Sequence, residues 1–503
     1  MPQHELATLT DLPEGAPVKA EAGDTAILLI RDGDAVSALT HECPHLGLPL
    51  SKGVVRDGTL ICPFHHACFD ARTGRQTEPP GYGDLHRFDV EIRNGRVFVD
   101  VPAEIEAHPA PPFARQGADP RRVVIAGAGA AAEECALTLR AQGFEGQIEM
   151  IAPDGQPPYD RTMLTKAVLT GDAAPTDLTL TDSAALAARD IALIDGRVTA
   201  IEPGQVILAD GGRHAFDGLL LAPGGTPRRL DLPGHDLAGI HVLRSVAQAQ
   251  ALLPDLQNAA RVGIVGGGFI GMEAALSLTK RGLDVTVIFP EDVPLAAPLG
   301  HRVGAAIMAE HQDAGVTIRP TTKITGFSGT DRVTAITTDQ GEIAVDLVLI
   351  AIGVTPATAD IDGIAVGDDG GVTVAPDLTM PGHENIWVAG DCAHVPTPFG
   401  SARIEHWRVA RQHGRRAALA MLGQPPDAPD IPFFWTALAR QYRYLGHAAD
   451  WDEIAFDGTP EDGPFLARYL KDGQVMAVLG AGRDAELADL HAQMRAVGGP
   501  LPA

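Results

Sequence analysis

Two short segments near the N-terminus constrain this chain more than any other feature: Cys43 and His45 in CPH, then Cys62 and His65 in CPFH. Written out, the pattern is Cys-x-His-x16-Cys-x2-His. Each segment offers one thiolate and one imidazole from a tight loop. Two Cys and two His also suit tetrahedral zinc. Zinc motifs, however, usually set Cys beside Cys and His beside His, whereas each loop here carries one of each. Two such loops facing each other can hold a [2Fe-2S] cluster, with both Cys on one iron and both His on the other. The cluster is the preferred reading and zinc the alternative.

Gly47 and Pro63 suit tight loops that turn backbone N–H groups inward. With these residues in place, the segment 5–101 resembles a Rieske ferredoxin-type domain over its whole length. Respiratory Rieske proteins carry an extra Cys in each ligand loop, forming a disulfide. Those positions here are Leu48 and Phe64. Those proteins also set a Ser and a Tyr hydroxyl beside the cluster, where this chain has Ala67 and Phe69. Fewer hydrogen bonds to sulfur leave the reduced cluster less stabilised, so the resemblance implies a lower potential, nearer the carriers of bacterial oxygenases. Cys68 is read as a small buried residue.

A chain of 503 residues is long enough for several domains. A net charge of −26 argues against nucleic acid or an anionic membrane surface as partner. Only Cys68, Cys135 and Cys392 remain beyond the cluster set, too few for a disulfide framework, which fits a reducing cytosol. The first residues lack a basic stretch followed by an apolar core, and no apolar run is long enough to span a bilayer. The expected location is therefore cytoplasmic. Alternating segments at 25–30, 58–61 and 96–101 read as strands, and the Pro- and Ala-rich stretch 102–120 reads as a linker.

At Arg121 the pattern changes to an apolar strand, a Gly-rich turn and an Ala-rich helix. The turn is Gly127-x-Gly129-x-x-Ala132, whose small residues let backbone approach a pyrophosphate at a helix N-terminus. The next strand, near 147–151, leads to Asp154, placed to meet ribose hydroxyls. A second unit repeats the design with Gly266, Gly268 and Gly271. Its following strand ends at Phe289 rather than an acidic residue, with Glu291 two positions on and no Arg placed for a 2′-phosphate. NADH is therefore favoured over NADPH.

Four further motifs make residues 121–503 similar to the FAD-dependent ferredoxin reductases of bacterial oxygenase and P450 systems, and to apoptosis-inducing-factor-like flavoproteins. They are PYDRTMLTK at 158–166, LAPGGTPRRL with Pro223 in place of a Thr, Val388-Ala389-Gly390-Asp391, and RIEHW at 403–407. The departures at Thr162, Met163 and Thr165 look mild. The resemblance implies that Arg161 contacts FAD and Asp391 binds its ribityl chain. It also sets the aromatic Trp407 near the flavin and pairs Lys166 with Glu273 at the reactive flavin edge. Disulfide reductases of this fold carry a Cys-x4-Cys or Cys-x2-Cys pair, absent here, so thiol–disulfide exchange is not expected.

The implied chain is multidomain. An N-terminal all-β Rieske domain (1–104) and a linker (105–120) precede two Rossmann-like α/β dinucleotide-binding domains and a C-terminal α+β domain. The FAD domain spans 121–235 and 354–425, the NAD(P)H domain 236–353, and the C-terminal interface domain 430–503. Phe433, Phe434 and Trp435 read first as core and alternatively as an acceptor-docking face. Segments 465–470 and 474–479 flank Asp472-Gly473 as a hairpin. His311, His406 and His447 are read mainly as structural, because hydride transfer needs no protein acid on the nicotinamide. The expected activity is transfer of hydride from NADH to FAD, then single electrons to the cluster and on to an oxygenase, P450 or ferredoxin. The alternative is a slow redox-sensing flavoprotein holding an NADH charge-transfer complex. A homodimer is a further expectation.

Overall fold

The computed structural model describes residues 3–105, 119–425 and 431–503. Most of the expected linker, 106–118, lies outside these residues. The N-terminal unit is built from two sheets. Six strands run in the order Gln3–Thr8, Arg96–Asp100, Arg87–Arg93, Ala35–Thr40, Thr25–Asp32, Pro17–Ala22. Four more form Val54–Arg56, Thr59–Ile61, Cys68–Asp70 and Gln76–Glu78. Leu28, Leu39, Leu60 and Phe69 pack among them, apolar faces turned inward. The second Cys/His segment links two strands of the smaller sheet, and the first follows Ala35–Thr40.

Two parallel sheets follow. The first has the order Ile191–Asp195, Gln147–Ala152, Arg122–Ala126, Gly218–Leu221, Ile386–Val388. Its last strand returns after a long excursion. Within that excursion lies the second sheet, ordered Ile240–Val242, Leu347–Ile350, Arg261–Val265, Asp284–Ile288, Thr317–Arg319. In each, the strand ending at the Gly-rich turn leads into a helix, Ala130–Ala141 or Phe269–Lys280. The central strands are largely apolar because both faces are covered, by helices on one side and by a small antiparallel sheet on the other. Phe327 and Ile336 pack on the second parallel sheet, Val206 and Leu208 on the first.

The C-terminal residues form a mostly antiparallel sheet backed by the helix Asp484–Val497. The hairpin lies at Phe465–Lys471 and Gln474–Ala481, with Asp472 and Gly473 both at positive φ, as a two-residue turn of this hand requires. This sheet does not close a core of its own on every side. Tyr442, Phe465 and Tyr469 belong to one cluster with Leu164, Ile264, Met272 and Leu349. The second Rossmann-like unit and the C-terminal sheet therefore share apolar contacts across segments distant in sequence.

A buried polar seam joins the N-terminal unit to the rest. Glu78 accepts from Arg408 (2.7 Å) and Gln412 (3.0 Å) and pairs with Arg495. Arg408, fully buried, also donates to the carbonyls of Pro79 and His66. Arg443 donates to the Phe64 carbonyl (2.7 Å), and at the exposed rim Arg56 pairs with Asp489 (2.6 Å).

Candidate active site

The Gly-rich turns of the two parallel units open on one cavity of about 400 Å3. Gly129, Ala130 and Ala131 line it from one helix N-terminus, and Gly268, Phe269 and Ile270 from the other. Neither helix start is capped by a side chain, so both present free N–H groups to an anion. Behind this lining, the turns leave no room for side chains. A Cβ on Gly127 would lie 2.2 Å from the Ala222 carbonyl oxygen, and one on Gly271 would lie 2.2 Å from that of Gly266. Ala132 and Gly266 also lie behind the lining, with Ala132 buried against the first sheet. Two such cradles on one cavity fit the diphosphates of FAD and of a nicotinamide dinucleotide.

Arg161, Asp391 and Trp407 all reach the cavity. Arg161 donates to the Arg244 carbonyl (2.9 Å), and Arg244 forms an ion pair with Asp391. Asp154 and Glu291 lie outside the lining. Asp154 is half-buried and accepts from the Gln156 N–H, while Glu291 is exposed.

Lys166 sits on a π-helical turn, Leu164–Val168, that faces the helix carrying Glu273. Its Nζ lies 2.9 Å from Glu273 Oε2 and 2.8 Å from the Thr162 carbonyl oxygen. Glu273 also accepts from Thr165 (2.7 Å), Thr436 (2.8 Å) and the Ala437 N–H (3.1 Å). Lys166, Glu273, Thr165 and Thr436 all border the cavity. A buried carboxylate needs this many partners, and here it fixes one ammonium at the cavity edge.

The two Cys/His loops share one design. In the first, the Cys43 N–H bonds the Leu48 carbonyl and the Gly47 N–H bonds the Cys43 carbonyl. In the second, Cys62 N–H bonds Ala67, and His66 N–H bonds Cys62. Gly47 and His66 occupy the same loop position, both at positive φ. The loops bring like ligands together. The Cys43 and Cys62 thiols interact, which holds the Cys62 thiol below its usual range and pushes the Cys43 thiol above it. The His45 and His65 rings meet edge to face at 4.5 Å. Burial pushes their imidazoles down to about 3 and about 2, keeping them neutral as ligands must be. His45 Nδ1 is buried without a hydrogen-bond partner, as a ligating nitrogen is. Thiols on one side and imidazoles on the other match the mixed-ligand [2Fe-2S] arrangement. Among the described residues no group of three or more His, Cys, Asp or Glu is placed around a single ion.

The imidazoles abut the cavity. His45 stacks on Trp407 at 5.9 Å, and Trp435 meets His45 at 5.6 Å and His65 at 4.5 Å. Both Trp side chains line the cavity. The strand Phe433–Ala437 thus divides its aromatics. Phe433 is core, Phe434 stacks on His406 at 3.7 Å in the cavity wall, and Trp435 touches His45 and His65. His406 is partly buried in that wall, and desolvation pushes it down to about 3. His311 is structural, bonded to the Ile307 and Met272 carbonyls. Arg244 and Thr436 had no motif to reveal them. The signal available for Trp435 was its place in an aromatic triplet.

The family model described as pyridine nucleotide-disulphide oxidoreductase matches residues 121–414. The chain belongs to this family. A Rieske [2Fe-2S] domain model matches residues 3–89 of this oxidoreductase. Apoptosis-inducing factor 3 of Homo sapiens is 31% identical over 509 aligned residues, covering 97% of this chain and 83% of the relative. The biphenyl dioxygenase system ferredoxin–NAD(+) reductase component of Paraburkholderia xenovorans (strain LB400) is 36% identical over 71% of this chain and 88% of its own length. Among solved structures, the covalent putidaredoxin reductase–putidaredoxin complex is similar over 76% of this chain and 94% of its own, at TM-score 0.70 and 30% identity. The thiol pair in the family's name has no counterpart here. Cys135 and Cys392 are both core, and burial pushes both thiols up, Cys392 to about 12. Among the described residues no helix is long and apolar enough to cross a membrane.

Proposed function

We propose that this oxidoreductase is an NADH-dependent electron-transfer flavoenzyme whose cluster receives electrons within the same chain and passes them to a protein acceptor. The observation that carries this is the contact of Trp407 and Trp435 with His45 and His65, since both Trp side chains also line the dinucleotide cavity. FAD bound there would accept hydride from NADH and release single electrons to the [2Fe-2S] cluster.

The residues take distinct roles in this reading. Cys43, His45, Cys62 and His65 hold the cluster. Gly127, Gly129, Ala132 and Arg161 hold FAD at the first helix N-terminus, with Asp391 kept in place by Arg244. Gly266, Gly268 and Gly271 admit the nicotinamide dinucleotide. Lys166, ion-paired with Glu273, stabilises negative charge arriving on the flavin. Asp154 and Glu291 serve the ribose ends of the two dinucleotides. The divisions 1–104, 121–235 with 354–425, 236–353 and 430–503 follow these tasks. A reductase of a dioxygenase system and a putidaredoxin reductase among the similar proteins support an oxygenase, P450 or ferredoxin as acceptor.

Anaerobic stopped-flow mixing with NADH tests the reading. Flavin bleaching should come first, followed by bleaching of the cluster absorbance at a rate independent of protein concentration. A concentration-dependent second phase would mean transfer between chains and sink the in-chain relay. Rapid NADH-dependent reduction of cytochrome c, against sluggish turnover, separates the enzyme from a redox sensor.

A further inference from the structure

The second ligand loop is gripped by cations that its own domain does not supply. Arg443 donates from Nε to the Phe64 carbonyl at 2.7 Å, inside the Cys62–His65 segment. Arg408 donates from Nη2 to the carbonyl of His66 at 2.9 Å, the residue after ligand His65. His66 stands at positive φ, and its ring stacks on Phe433 at 3.7 Å. Arg408 is fully buried and Arg443 nearly so. Both lie outside the N-terminal Rieske segment, on the helix Trp407–Met421 and the strand Gln441–Gly446.

Charge bookkeeping decides what these groups do. Glu78 is shared between Arg408 and Arg495. Arg443 is paired with Asp484 at 2.8 Å, but Asp484 is 29% exposed while Arg443 is 7% exposed. Asp484 is the more exposed partner and offsets the guanidinium only in part, while the guanidinium faces the ligand loop. Reduction adds one negative charge to a [2Fe-2S] centre, and fixed cations in a poorly solvated setting favour that state.

We infer that Arg443, assisted by Arg408, is a positioning residue that raises the midpoint potential of the cluster from the reductase side of the molecule. The inference rests on the cluster reading proposed above. It opposes the effect of Ala67 and Phe69, which withhold hydroxyl donors. The N-terminal segment alone does not set the potential; the docked body of the protein completes it.

The test is an EPR-monitored redox titration of the purified full chain. Iron and acid-labile sulfide analysis with the EPR signal of the unaltered protein comes first, and absence of the cluster there would refute the cluster reading itself. Arg443→Gln should make reduction at least tenfold less favourable, a negative shift of about 59 mV for one electron. Arg443→Lys, which keeps the charge, should shift it less. Asp484→Asn removes the screening carboxylate and should shift the midpoint the other way. If Arg443→Gln loses its cluster, Asp484→Asn carries the test. A midpoint unchanged in Arg443→Gln, or an Asp484→Asn midpoint that fails to rise, overturns the inference.

Discussion

Lys166 and Glu273, 107 positions apart, meet through a 2.9 Å contact between the ammonium and one carboxylate oxygen. Glu273 is 7% exposed and Lys166 22%. The pair joins the π-helical turn of the first dinucleotide unit to the Gly-rich helix of the second. Replacing Lys166 with Ala should slow flavin reduction by NADH roughly 10²-fold, the loss typical when one preorganised charged donor is removed. The cluster spectrum should stay unchanged. Stopped-flow absorbance reads both, and an unaltered rate would remove Lys166 from the reactive edge.

Gly127→Ala should cost the protein its flavin. The new Cβ would lie 2.2 Å from the Ala222 carbonyl oxygen, at a backbone φ of 131°. The turn must move, and with it the helix start that faces the cavity. Absorbance of the purified variant near the flavin bands should fall while iron content is retained.

His45→Ala should abolish the cluster and leave flavin reduction by NADH nearly intact, because His45 belongs to a loop of the N-terminal unit. Trp435→Leu should keep the cluster, since Trp435 is not a ligand, but should slow its reduction by the flavin. Together they separate losing the cluster from losing the contact with it. A Trp435→Leu protein whose cluster bleaches at the normal rate would show that this ring contact is not the route.

Glu78→Ala should destabilise the protein by about 3–5 kcal/mol, since it leaves the buried Arg408 without its carboxylate. Denaturant unfolding followed by cluster absorbance and by flavin fluorescence would measure it. A change under about 1 kcal/mol would place the seam among weak surface-like pairs.

Much of this was legible in the sequence because small motifs carry strong stereochemical demands. The Cys43/His45 and Cys62/His65 pairs stand out by spacing, and the glycines by the close backbone packing of their turns. Lys166 and Glu273 were reachable only through resemblance, since neither sits in a pattern with its partner. Asp154 and Glu291 were placed by distance along the chain from their strands, but the structure leaves both off the cavity wall. Arg443 and Arg408 gave no signal. Their meaning depends on which surface of one folded unit lands on another, and periodicity within either segment does not encode that. The sharing of core between the second Rossmann-like unit and the C-terminal sheet was hidden for the same reason.

The seam around Glu78 also decides what moves during turnover. Arg408 has no solvent exposure, and its hydrogen bonds run across the boundary between the N-terminal unit and the remainder. Swinging the N-terminal unit away to visit a partner would strand that guanidinium in each cycle, or flood its site with water, at a cost of several kcal/mol. A shuttle has to detach cheaply, and this joint does not. In the relay proposed above, the N-terminal unit therefore stays docked and the acceptor comes to it.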